Sequence, residues 1–135
     1  MNYIILGIQF MITIVLVDDE RNWLEIVETL VKNSLSTDLK LVSFTNPEEA
    51  LELIKESFVD CVICDYLIPN HMTGLDMYYR LQEFQKSPKF ILISNSKIPQ
   101  TKIKEIVQKD IFYLPKSFLV VKNFMKKHLE DILFH

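Results

Sequence analysis

Cysteine is scarce in this chain: among 135 residues there are two, Cys61 and Cys64. Two thiols three residues apart cannot form a disulfide framework, and such usage fits a reducing compartment. There is no uninterrupted run of 18 apolar residues, which excludes a membrane-spanning helix. A basic excess is also missing. The formal net charge is −3, and with no recognisable binding motif this argues against nucleic acid as a direct partner. Glycine is reduced to Gly7 and Gly74, so no glycine-rich loop exists to cradle a nucleotide phosphate. Repeats, low-complexity stretches and interdomain linkers are absent too, which leaves one domain large enough to bury a core without a structural metal.

The charge that is present is unevenly spread. Residues 1–67 carry a net −8 and residues 68–135 a net +5. Lys97, Lys102, Lys104, Lys109, Lys116, Lys122, Lys126 and Lys127 make the late half basic. Solvated helical faces account for this plainly; a docking surface for an acidic partner is the sharper reading.

Residues 1–10, MNYIILGIQF, are uncharged and lack both the basic start and the small-residue cleavage site of a secretory signal. Met11 opens a β-branched run through Val17, the first predicted strand. Residues 1–10 are therefore expected to be an N-terminal extension upstream of a start at Met11, or an extra edge segment, ahead of a domain spanning 11–135.

From Met11 onward, strands and helices alternate. Arg21 to Ser34 has a helical apolar period, including Trp23, Leu24, Ile26 and Val27. Leu39 to Phe44 reads as a second strand. Asn46-Pro47-Glu48-Glu49 is a helix start in which Asn caps, Pro takes the first position and the glutamates face the positive end. Asp60 to Cys64 is a third strand, and Thr73 caps a helix carrying Leu75, Tyr78, Tyr79, Leu81 and Phe84. Lys89 to Ile93 is a fourth strand. A helix over Pro99 to Lys109 is predicted to turn Ile103, Ile106 and Val107 inward. Ile111 to Leu114 is a fifth strand, and a helix from Ser117 to Phe134 carries Phe118, Val121, Phe124 and Met125. Five strands alternating with five helices imply a parallel α/β sheet covered on both faces.

In such a sheet, chemistry gathers at the strand C-termini. Those ends hold Asp18 and Asp19, then Asp65, Ser94 and Lys116. Three crowded carboxylates repel one another and suit a hard cation such as Mg²⁺. A hydroxyl and an ammonium beside them suit phosphoryl oxygens. Alone, Asp18-Asp19 is equally well a helix cap, Ser94 a loop serine and Lys116 a solvated lysine; their joint placement makes the case. Cys61 and Cys64 point to opposite faces of a strand, which suits small buried hydrophobes better than a redox or zinc pair. His71, His128 and His135 are scattered, and Trp23 fits a core stripe.

This set of residues resembles the receiver domain of two-component response regulators. The resemblance covers about residues 11–134. It rests on Asp18-Asp19, on Cys64-Asp65-Tyr66-Leu67-Ile68-Pro69 with Gly74 following, on Ser94 and on Lys116. It implies a flavodoxin-like (βα)5 doubly wound fold with strand order 2-1-3-4-5. It also implies a stand-alone, chemotaxis-regulator-like signalling domain of the cytoplasm. Asp65 would accept a phosphoryl group from a histidine kinase or histidine phosphotransfer protein. Asp19, Asp65 and the backbone carbonyl of Leu67 would bind Mg²⁺, or Mn²⁺ in its place, with Asp18 acting through a water. Lys116 would contact a phosphoryl oxygen, Ser94 would be the switch hydroxyl and Tyr113 the switch aromatic. Such a domain is no turnover enzyme but assists its own phosphorylation and dephosphorylation. It signals to a downstream protein target, with the last two helices available for a homodimer.

Four positions depart from the family pattern. His71 lengthens the loop before Gly74 by one residue, Asn95 replaces a small residue, and Ser117 replaces the proline after Lys116. Leu67, two residues past the acceptor, cannot orient a water, so a long-lived phosphoryl state is expected. The competing reading is a degenerate receiver that serves as a phosphorylation-independent interaction module. A phosphohydrolase is disfavoured because it would need an acid where Leu67 stands. The later start is directly testable: the intact mass of the native protein is expected to begin at Met11, and a mass that includes Met1 to Phe10 refutes it.

Overall fold

Five β-rich runs form one parallel sheet: β1 (Met11–Val17), β2 (Asp38–Phe44), β3 (Cys61–Asp65), β4 (Lys89–Ser94) and β5 (Ile111–Pro115). Their spatial order is β2-β1-β3-β4-β5, the flavodoxin-like order that the family resemblance implies. The computed structural model describes residues 11–95 and 97–135, together with the backbone of Ile4–Ile5 and Ile8–Gln9. Those two short segments pair antiparallel, separately from the main sheet. The rest of residues 1–10, and with it the expectation for that segment, lies outside the described residues.

A parallel sheet needs cover on both faces, and its central strands should read as continuous apolar runs. All five positions of β3 are buried accordingly. Helices α1 (Arg21–Ser34) and α5 (Phe118–Phe124) cover one face. There α5 continues through a π-helical turn, Met125–Leu129, into α6 (Glu130–Phe134). Helices α2 (Pro47–Glu56), α3 (Gly74–Glu83) and α4 (Gln100–Val107) cover the other. Val121, Met125 and Leu129 recur every four residues and are fully buried. A regular helix turns 3.6 residues per turn, so the wider π turn keeps such a stripe facing the sheet. Among the described residues, no helix is long and apolar enough to cross a membrane.

The local signals read from the sequence are realised. Asn46 Oδ1 accepts from the Glu49 N–H at 3.0 Å, with Pro47 first in α2. Thr73 and Asp76 form a reciprocal capping box at the start of α3. Cys61 packs into the core on the α1 side and Cys64 into the opposite one, and burial pushes both thiols up, Cys61 to about 12. Neither is a reactive thiolate.

Periodicity misassigned several side chains. Val107 was expected inward but is 73 % exposed, because α4 ends there and its buried position is Ile106. Phe118, in the first turn of α5, is 52 % exposed, and Ile26 turns outward from α1. Met77 of α3 is fully buried although the sequence pattern did not single it out. The acids Asp18 to Glu20 lie just before α1, and Asp18 Oδ1 accepts from the Glu20 N–H at 2.8 Å. The Lys116–Ser117 peptide is trans, and the Ser117 hydroxyl caps α5.

The register brings the strand tips into one row. Val17 lies opposite Cys64, Asp65 opposite Ile93 and Ser94 opposite Pro115. Asp18, Asp65, Ser94 and Lys116 are consequently neighbours at one edge, although nearly 100 residues of chain separate the first from the last. Gly74 closes the loop after β3, its N–H donating to the Tyr66 carbonyl at 2.8 Å. A Cβ at Gly74 would lie 2.5 Å from Leu92 Cδ1 and 2.6 Å from the Asp65 backbone oxygen. Gly74→Ala must therefore push the start of α3 off the strand that carries Asp65. Overpacking of this kind costs about 1–3 kcal/mol. A denaturant melt should show it, and a midpoint equal to wild type would contradict the close approach.

Candidate functional site

Two buried carboxylates and one buried ammonium form the centre of the site. Asp18 is 3 % exposed and Asp65 7 %. Lys116 Nζ lies 2.8 Å from Asp18 Oδ2, 3.4 Å from Asp65 Oδ2 and 3.2 Å from Glu20 Oε1. Asp19 is exposed beside them, and Asp18, Asp19 and Asp65 each present a carboxylate oxygen within 4.8 Å of the others. The pair buried with Lys116 carries two negative charges against one positive, before Asp19 and Glu20 are counted.

That imbalance sets the protonation behaviour. Burial, then the neighbouring Asp18 charge, push Asp65 up to about 6, against the pull of Lys116 and the Leu67 backbone N–H. Burial also raises Asp18, opposed by its hydrogen bond from Lys116. Burial alone would lower Lys116, but the Asp18 hydrogen bond and the Asp18 and Asp65 charges outweigh it and leave it raised, firmly a cation. An excess of oxygen ligands and negative charge at one solvent-facing edge fits a hard divalent cation such as Mg²⁺.

The sequence-predicted residues take up unequal places. Asp18, Asp19, Asp65 and Lys116 converge. Ser94 is buried at the tip of β4, and its carbonyl accepts from the Lys116 N–H at 2.9 Å, so the two residues are fixed side by side. Leu67 sits 48 % exposed on the rim. Tyr113 lies back along β5, opposite Leu92 and partly in solvent. Asn95 is exposed just past Ser94.

Contacts of three residues, His71, Glu20 and Trp23, were missed in the sequence. His71, the residue that lengthens the loop, places Nδ1 2.8 Å from Glu48 Oε2, and its backbone N–H donates to the Ile68 carbonyl at 3.1 Å. The acceptor loop is thus tied to the first turn of α2, with Asn70 at φ 68° making the turn. Glu20 and Trp23 both meet Lys116, the indole ring centroid 5.5 Å from Nζ. The sequence carried only a weak hint of this: both residues follow the acidic pair, where α1 begins at the strand tips.

Because Asp65 binds its proton more tightly folded than unfolded, the folded state holds more protons between the ordinary carboxylate value of 3.8 and about 6. Its contribution to stability therefore falls as pH rises through that window and stays unfavourable above it. Asp65→Asn removes the penalty, while Asp18 keeps Lys116 paired. Metal-free melts in EDTA at pH 8 are expected to show the variant more stable by roughly 1–3 kcal/mol. The gain should shrink toward pH 4, and a variant less stable than wild type at pH 8 would overturn this charge balance.

Comparison with known proteins agrees with this geometry. A model of the response regulator receiver domain matches residues 14–132. The transcriptional regulatory protein FlgR of Helicobacter pylori is 43 % identical over 70 residues, covering 52 % of this chain but only 17 % of FlgR. The response regulator TrrA of Thermotoga maritima, solved in complex with Mg²⁺-BeF, is 26 % identical with a TM-score of 0.71, covering 91 % of this chain and all of TrrA. The receiver domain of NarL from Mycobacterium tuberculosis shares the fold at a TM-score of 0.71 and 23 % identity, covering 90 % of this chain and 94 % of that one. With the family model spanning nearly the whole five-stranded domain and the acidic cluster, Ser94 and Lys116 at its strand tips, the chain belongs to the response regulator receiver family.

Proposed function

We propose that this receiver accepts a phosphoryl group on Asp65 in a Mg²⁺-dependent reaction and signals by protein contact. The observation that carries the reading is the convergence of Asp65 with Asp18, Asp19 and Lys116 at a single strand edge. A histidine kinase or histidine phosphotransfer protein is the donor. An Asp65 carboxylate oxygen attacks phosphorus, and the bond from phosphorus to the donor histidine nitrogen breaks as the new acyl phosphate bond forms. Asp19, Asp65 and the Leu67 carbonyl would hold Mg²⁺, with Mn²⁺ able to replace it and Asp18 acting through a water. Bound there, the ion supplies positive charge to the phosphoryl oxygens.

Lys116 is already poised on Asp65, and its ammonium follows the negative charge onto the phosphoryl oxygens. The Ser94 hydroxyl turns to donate to another of those oxygens, and Tyr113 changes its packing as the loop after β4 moves in. The face built from α4, β5 and α5 then reads differently to a partner. Its lysines, among them Lys102, Lys104 and Lys122, favour an acidic downstream protein, and the last helices could pair two copies. We place this exchange in the cytoplasm, in keeping with two buried, unpaired cysteines.

Acetyl phosphate or beryllofluoride with Mg²⁺ tests the reading. Wild type should take up the label or bind the fluoride complex, and Asp65→Asn should lose the response. A silent wild type would point to a receiver used only as an interaction module. The apolar Leu67 further implies slow loss of the phosphoryl group. Purified, labelled protein in Mg²⁺ should keep its label for longer than a Leu67→Asn variant, and the reverse order would refute the role given to Leu67.

A further inference from the structure

Lys116 holds more partners than its expected role requires. Its ammonium has three N–H donors. Three carboxylates from three residues surround it, at 2.8 Å (Asp18), 3.2 Å (Glu20) and 3.4 Å (Asp65), and its side chain is only 4 % exposed. The donors are fully committed before any phosphoryl group arrives. A phosphoryl oxygen on Asp65 can be bound by Lys116 only if one of these contacts is released.

The three contacts are not equally easy to release. Asp18 has a side chain 4 % exposed, so losing its cation would strand a buried carboxylate. Asp65 bears the incoming group, so its contact passes to one phosphoryl oxygen, and any further contact to that group needs a second donor. Glu20 is different: its side chain is 58 % exposed, and its carboxylate can return to water at little cost. Trp23 also meets the ammonium. Its ring centroid lies 5.5 Å from Nζ, and it lines a void of about 10 Å³ under the site with Asp18 and Asp65.

We propose that the Glu20 carboxylate stands in for a phosphoryl oxygen in the resting protein, as an internal anion that competes with the phosphoryl group for Lys116 when Asp65 is modified. Glu20 is thus a positioning residue. It occupies the third donor of Lys116 until displaced, and so sets how tightly the site takes a phosphoryl group. This rests on the phosphoryl-acceptor reading above and adds a regulatory contact to that site. Trp23, the sole tryptophan, reports the exchange, because the cation over its ring shifts when Lys116 changes partners.

The experiment is a titration of the full chain with beryllofluoride at fixed Mg²⁺, read by Trp23 fluorescence. Glu20→Gln should bind about 1.5- to 5-fold tighter than wild type, the range an exposed ion pair supports. Glu20→Asp separates contact from through-space charge, since it keeps the charge but is one methylene shorter and falls short of Nζ. If the contact is what matters, Glu20→Asp resembles Glu20→Gln; if general repulsion of an anion is what matters, it resembles wild type and the proposal is overturned. Glu20→Gln with unchanged or weaker binding also overturns it. A wild type that never responds defeats the phosphoryl-acceptor reading and this proposal together, whereas a responding wild type with a neutral Glu20→Gln defeats this proposal alone.

Discussion

One unbalanced charge cluster governs the functional end of this molecule. Asp18 and Asp65 are both buried, and the single ammonium of Lys116 is shared between them. A fold selected for stability alone would not bury two like charges around one cation, since each buried carboxylate needs its own compensation. The cost appears in the raised pKa of both acids, and it is tolerable because the surrounding sheet is dense and apolar. The rigid part of the domain thus holds its tips in an arrangement that gains from an added cation and from a change in charge on Asp65.

Everything that positions the cluster is a consequence of register. A shift of one residue in β3 would carry Asp65 away from Asp18 and turn the alternating core residues to the wrong layers. The opposite facing of Cys61 and Cys64 makes this concrete, because each is a small hydrophobe filling a different core. Gly74 adds a second constraint, since only a residue without Cβ lets α3 start against the backbone of Asp65. Site geometry and core packing are therefore one problem in this chain, and substitutions far from the carboxylates can reach them through the strands.

Much of this was legible in the sequence, and for a physical reason. Strand ends fall where apolar runs stop, and Asp18, Asp65 and Ser94 each sit where such a run stops, with Lys116 close behind the fifth. Caps such as Asn46 and Thr73 are local chemistry and were equally readable. The partners of Lys116 were not. Glu20 and Trp23 lie 96 and 93 positions away, and their contact exists only after β1 and β5 take their places in the sheet. Val107 and Phe118 failed for a related reason. Helical period tells which residues share a face, but not where a helix ends or how far the sheet beneath it reaches.

Helix α4 is held by fewer buried residues than α1, α2 or α3. Each of α1, α2 and α3 buries four residues, while α4 buries only Ile106. No side chain caps its start at Pro99, and its last residue faces solvent. An element with so few buried apolar contacts lies at the low end of local stability. It also follows β4, whose tip carries Ser94, so under the phosphoryl-acceptor reading proposed above a change in what Ser94 and Lys116 bind would act first on this lightly held helix. The cluster supplies a bias of a few hydrogen bonds, and such a bias shifts an equilibrium only where the opposing packing is equally slight. In this sheet that condition is met beside α4 and not beside α1, α2 or α3.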